Sequence, residues 1–213
     1  MNKPIAISLI ALFMLAGCVS NSVPTRYYSL AAIDAPDTSV SSLPESITVG
    51  VGPLELPETL DRIGIVSVKK DNELSVSTYS IWAGDLRESM LRVLTGNLSS
   101  QLGHDRIWSF PWDNRNRPEY QLRIVIEEFS GKLGDSVSLR AKWSLLGEHG
   151  RKELITRRSS YTKTVSARTY RDYVGALNAA LNEFSQDLAG QVSESLQASQ
   201  AEPSPALTAT DQP

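Results

Sequence analysis

The sequence is poor in the residues that chemistry usually requires. It has one cysteine, Cys18, and two histidines, His104 and His149. One cysteine cannot form an intramolecular disulfide, so core packing alone must hold the fold, even in an oxidising compartment. The two histidines are far apart and offer no metal-ligand spacing. No Gly-x-Ser-x-Gly elbow, phosphate-cradling glycine loop or Asp-rich metal loop occurs. Gly50 and Gly52 make half of a dinucleotide turn, but Pro53 follows and the third glycine is missing, so the pair reads as a strand end. A basic face is lacking too. Formal net charge is −3, and Lys3 is the only charged side chain before Cys18, which leaves the remainder near −4. That mild acidity argues against a nucleic-acid partner. With 41% hydrophobic and 21% charged residues the composition is ordinary for a globular domain, and the length suffices for one real core.

What is present begins with an export signal. Lys3 supplies the positive start, residues 4–15 are apolar but too short to span a bilayer, and Leu15-Ala16-Gly17-Cys18 closes the segment with small residues. A signal peptidase needs small side chains there, and the Cys18 thiol is the nucleophile that takes a diacylglyceryl group as a thioether. Residues 1–17 therefore read as a lipoprotein signal peptide, and Cys18 as the lipidated first residue of the remainder. With the N-acyl chain added, three chains hold the protein, at roughly 0.8 kcal/mol per buried methylene. No cofactor beyond these covalent lipids is expected, and a capped Cys18 is no catalytic thiol. In enterobacteria an Asp after the lipidated cysteine favours inner-membrane retention; Val19 instead predicts the outer membrane, facing the periplasm.

Residues 18–46 read as anchor and tether, mixing Ser, Pro, Asp and Ala around one hydrophobic island, Tyr27-Tyr28-Ser29-Leu30. The island is expected to dock on the domain as an edge strand. Residues 47–51 alternate as a strand, and Pro53 and Pro57 bracket a loop holding Leu54 and Leu56. Residues 63–68 and 74–78 predict a hairpin with a polar turn. Trp82, Leu86, Met90, Val93, Leu94, Asn97 and Leu98 recur at helical spacing, predicting a helix over 81–102 stopped by Gly103. Residues 119–129 and 137–145 alternate again as a longer hairpin, and 152–165 supply a third strand. Tyr170, Tyr173, Leu177, Ala180, Leu181, Phe184, Leu188, Val192 and Leu196 form the stripe of a long closing helix. Residues 197–213, with three prolines, predict a disordered tail. The fold class expected is α/β: one domain over 47–196, a mixed, mostly antiparallel sheet with two long amphipathic helices on it.

The catalytic candidates are weak. Glu127 and Glu128 are an acid/base pair in type, but neighbours on a strand point to opposite faces, so at most one serves a given site. His104 and Asp105 follow a helix stop and read as loop residues. Arg157, Arg158, Arg168 and Arg171 are basic spots on the wet sides of elements. Trp108, Phe110 and Trp112 either cap the core or present an apolar patch to a partner, with the core favoured. Nothing here rises to an enzyme.

The order of the lipobox, Tyr27-Tyr28-Ser29-Leu30, Ile81-Trp82-Ala83 with Leu86 beyond, and a closing helix through Tyr173-Val174, Leu177, Leu181 and Leu188-Ala189 resembles the auxiliary lipoproteins of ABC-type transport systems, the PqiC-like family of paraquat-inducible lipoproteins. The resemblance implies a fold akin to the N-terminal domain of TolB and a non-enzymatic role in lipid transport between membranes. The partners it implies are an MCE-domain protein that bridges the periplasm, the associated inner-membrane transporter subunits, and further copies of the chain in a ring. Tyr27, Tyr28, Leu30, Trp82, Trp108 and Trp112 are then candidates for partner or core contact. The competing readings are an outer-membrane assembly lipoprotein that partners a lipopolysaccharide-exporting β-barrel, and a periplasmic hydrolase.

Overall fold

The stripe that runs from Tyr173 to Leu196 buries each of its side chains almost completely, so the closing helix organises the core. The computed structural model describes residues 22–33, 43–113 and 115–201. Cys18, the expected signal peptide and residues 202–213 lie outside the described residues. Among the described residues eight strands and two α-helices follow in chain order: β1 (Arg26–Tyr28), β2 (Val49–Glu55), β3 (Gly64–Val68), β4 (Leu74–Trp82), α1 (Leu86–Leu102), β5 (Ile107–Ser109), β6 (Tyr120–Gly131), β7 (Ser136–Gly147), β8 (Lys152–Thr164) and α2 (Tyr170–Ala201).

The strands form two sheets, where the alternation alone suggested one: a three-stranded sheet in the order β1-β4-β3 and a five-stranded sheet in the order β5-β2-β6-β7-β8. The long hairpin strands pair antiparallel, and the short β1 and β5 join parallel to β4 and β2. On the large sheet, Leu122, Ile124 and Ile126 of β6 and Leu139, Ala141, Trp143 and Leu145 of β7 point at the helices. There α2 lies over β7 and β8 and α1 over β2 and β5. Each large apolar side chain so buried contributes about 1.5–3 kcal/mol.

Four expectations need correction. Trp82 ends β4 and does not begin the helix. Asp85 caps α1, its Oδ1 accepting from the Glu88 N–H at 2.9 Å, so residues 81–84 stay outside it, while Gly103 stops it in the left-handed conformation as expected. The Pro53 loop is strand: β2 runs on to Glu55 because a register shift between Val51 and Leu54 spares Pro53 a ladder position, which puts Gly50 and Gly52 inside the strand. The fold also begins before residue 47, since Leu30 and Leu43 belong to the core. Lastly, α2 continues through Ala201 and does not end at Leu196.

The start of α2 is fixed by residues ahead of it. Thr169 Oγ1 accepts the Asp172 N–H at 3.2 Å, and the Asp172 carboxylate accepts the Thr169 and Ser166 hydroxyls. Those bonds hold the Asp172 carboxyl below the usual carboxylate range, Thr169 more than Ser166. A lowered folded-state pKa means that this capping contribution is complete above the unfolded value of about 4 and is lost as pH falls through the folded one. Acid titration followed by NMR should therefore find Asp172 ionising at lower pH than a free carboxylate, and Thr169→Val should return it toward that value.

Candidate functional site

Paired residues on neighbouring strands share a face, and in the small sheet this sorts the side chains in an unexpected way. Leu74 pairs with Val68, Val76 with Val66, and Ile81 with both Gly64 and Tyr27, so Tyr27, Ile81, Val76 and Leu74 share one side. Tyr27 is 68% exposed, Leu74 46% and Val76 47%; Tyr79, in the irregular stretch between the two registers, is 49% exposed. The opposite side carries Ile65, Ser67 and Trp82, all buried; on the strip's own side Val66 of β3 is buried too, so the exposed part lies on β4 and Tyr27. Over residues 74–79 of β4 the apolar Leu74, Val76 and Tyr79 are exposed while Ser75 and Ser77 lie half-buried. Apolar side chains gathered on the outward face of a sheet are the kind of surface that a partner covers.

The strip is rigidly mounted. Tyr173, fully buried on α2, accepts the Gly131 N–H at 2.9 Å and donates to the Val66 carbonyl at 2.9 Å, tying β3 to β6 and to the helix. Burial pushes the Tyr173 hydroxyl well up from its ordinary pKa, ahead of the smaller opposing effect of Gly131. Behind β1 the chain passes over both helices. Leu30 is 1% exposed, its carbonyl accepts from Arg92 at 2.8 Å, and the N–H groups of Ala31 and Ile33 donate to Asn178 and Asn97, each at 2.8 Å.

The residues singled out from the sequence thus separate. Tyr27 lies on the exposed strip, Tyr28 is half-buried against the core, and Leu30 and Trp82 are core. The island is an edge strand, as expected. Trp108 and Trp112 are elsewhere, at the β5 edge of the large sheet, and do not cap the core: both are only half-buried and Phe110 is 40% exposed. Phe110 and Trp112 meet edge-to-face at 5.1 Å. Trp112 packs over Gly50, where a Cβ would stand 2.7 Å from its ring and 2.5 Å from Pro118.

The chemical candidates are held in structural roles. His104 is buried, with Nε2 2.7 Å from the Ile47 carbonyl, while Asp105 is exposed. Glu127 and Glu128 do not face opposite ways: a register shift between Ile126 and Glu128 puts both on the outer face, where Glu127 pairs with Arg158 at 3.1 Å and Glu128 with Arg140 at 2.8 Å. Tyr161, whose hydroxyl donates to Asp187 at 2.8 Å, is pushed up by burial first and by Asp187 second. Among the described residues no group of three His, Cys, Asp or Glu side chains is placed to hold a metal, and no helix is long and apolar enough to cross a membrane.

Leu74, Val76 and Tyr79 were missed as site residues. Their alternation identifies a strand, but alternation does not say which face is wet, and the apolar side is normally the inner one.

Comparison with known proteins bears on this arrangement. A family model described as ABC-type transport auxiliary lipoprotein component matches residues 28–189. The chain is 28% identical over 148 residues to the intermembrane transport lipoprotein PqiC of Escherichia coli (strain K12), covering 70% of this chain and 75% of PqiC, and equally to PqiC of Shigella flexneri. A crystal structure of a protein from Xanthomonas campestris superposes with a TM-score of 0.70 at 15% identity, over 84% of this chain and 100% of that one. A second crystal structure gives 0.66 at 21% identity, over 80% and 99%. At such identities these two similarities speak for the fold.

Proposed function

Since the chain belongs to the family of ABC-type transport auxiliary lipoprotein components, we propose that it is a non-enzymatic docking subunit of an intermembrane lipid transport system. In this reading Cys18 anchors it to the outer membrane, and the strip on the small sheet receives the end of an MCE-domain protein that bridges the periplasm from the inner-membrane transporter. The observation that carries the reading is the outward apolar side of β4 with Tyr27 beside it. Position supports it as well: Arg26 lies eight residues after Cys18, a stretch that reaches at most about 28 Å. A lipidated Cys18 therefore holds the strip close to the bilayer, where a bridge from the other membrane must end. The structural roles of His104, Glu127 and Glu128 support a binding role over a catalytic one.

The test is affinity purification of the tagged, lipidated protein from native membranes in mild detergent, followed by mass spectrometry. An MCE-domain protein or its transporter subunits should be recovered. Leu74→Glu with Val76→Glu should reduce that recovery at least about tenfold, about 1.4 kcal/mol, while leaving the melting temperature nearly unchanged because both side chains face out. Recovery of a β-barrel without MCE or transporter subunits would overturn the reading, as would full recovery by the double variant.

A further inference from the structure

A groove of about 700 Å³ opens between the tip of the β3–β4 hairpin and the β6–β7 turn, close to the start of α2, with Ser67 and Ser75 in its wall. Four cationic side chains line it, Lys69, Lys70, Lys132 and Arg168, against two carboxylates, Glu73 and Asp135. Lys69 and Glu73 pair with each other at 3.0 Å. The other three cations make no hydrogen bond or ion pair among the described residues, so three free positive charges face one free carboxylate on a chain whose net charge is −3. Clustered unpaired cations lower the cost of holding an anion.

The groove is not only cationic. Val68, Leu133 and Tyr170, each half-buried, lie among the charges. Arg168 is held in place by its stem, which lies over Gly134 so closely that a Cβ there would stand 2.2 Å from Arg168 Cγ. The turn beneath it is pinned by the Asp135 N–H donating to Lys132 and the Val165 N–H donating to Asp135, at 3.2 and 2.8 Å. Guanidinium and ammonium groups together suit a phosphate, the first as a fork and the second as a point charge. Apolar side chains among them suit what is attached to that phosphate. A free phosphate would use only the cations, and an acidic peptide would leave Val68, Leu133 and Tyr170 against charge.

We propose that this groove binds an anionic phospholipid, with its phosphate among Lys70, Lys132 and Arg168 and its glycerol and first acyl carbons on Val68, Leu133 and Tyr170. The proposal rests on the lipid-transport reading above, but it is tested apart from it. Full lipidated protein in a non-ionic detergent is incubated with phosphatidylglycerol, phosphatidylcholine or inorganic phosphate, and bound adducts are counted by native mass spectrometry. One phosphatidylglycerol should bind, at least about tenfold more tightly than phosphatidylcholine. Lys132→Glu with Arg168→Glu should weaken it about tenfold with the melting temperature unchanged, and Leu133→Ser should weaken it by a similar factor with a small fall in melting temperature, since Leu133 also packs on the core. Equal binding of the two lipids, or indifference to these substitutions, would overturn the proposal. Inorganic phosphate displacing phosphatidylglycerol at equal concentration would overturn it in favour of a plain anion site. Recovery of the MCE-domain partner separates the two readings: native protein that recovers this partner but binds phosphatidylglycerol no better than phosphatidylcholine would sink the groove assignment alone, and native protein that binds phosphatidylglycerol but recovers no such partner would sink the docking reading alone.

Discussion

Replacing Asn97 by leucine is expected to destabilise the protein by about 3–5 kcal/mol. Asn97 is 1% exposed on α1 and uses its whole amide. Nδ2 donates to Asn182 Oδ1 at 3.0 Å and to Ser185 Oγ at 2.8 Å on α2, and Oδ1 accepts the Ile33 N–H at 2.8 Å. Leucine fills a similar volume, so the cost comes from the partners left behind. Ser185 is fully buried and would keep only its bond to the Asn182 carbonyl at 2.8 Å; a buried polar group short of a partner costs about 1–3 kcal/mol, and the bonds to Asn182 and to the Ile33 N–H are lost as well. For a chain of this size that lowers the melting temperature by roughly 6–20 °C, which thermal denaturation followed by circular dichroism will measure. Loss of the Ile33 bond adds a local effect, so limited proteolysis should cut after Leu30 sooner than in the native protein.

Gly131→Ala should cost at least about 3 kcal/mol for a different reason, overlap with backbone. At the end of β6 an added Cβ would stand 2.1 Å from the Ser136 carbonyl oxygen and 2.5 Å from Val137 Cα. Neither can withdraw as a flexible side chain would, so the hairpin has to open at its turn. Opening it moves the Gly131 N–H away from the Tyr173 hydroxyl, and with it the link from α2 to the Val66 carbonyl of β3. Urea denaturation should show the loss as a lower midpoint with an unchanged slope. Tyr173→Phe should lose only part as much, because it breaks the same link without forcing the strands apart.

The sequence was most legible where one period ran long. The stripe of α2 and the alternations of β6 and β7 each repeat often enough to exclude the other kind of element, and Gly103 marked the end of α1. It was least legible where short runs meet. Trp82 fits the helical spacing of α1 and the alternation of β4 equally well, and only the cap at Asp85 decides between them. Glu127 and Glu128 were misplaced because a bulge adds one residue that no alternation can announce. Of the candidate site, Tyr27 could be read from its island. Leu74 and Val76 could be read only as strand, since they are exposed while Ser75 and Ser77 beside them turn half-buried to the other side, against the usual rule. The groove joins Lys70, Lys132 and Arg168 from three distant stretches of chain, and only the pairing of strands brings those together.

The way the N-terminal segment enters the fold has a mechanical consequence. β1 runs parallel to β4, and a load applied ahead of Arg26 acts along the strand. Its backbone bonds are then sheared together, where an antiparallel hairpin pulled from its open end would yield one bond at a time. Leu30, seated behind them between the helices, is a second stop that has to leave the core before the load reaches the domain. A pull from this end therefore meets two stops in succession, the sheared strand and then the Leu30 side chain in the core.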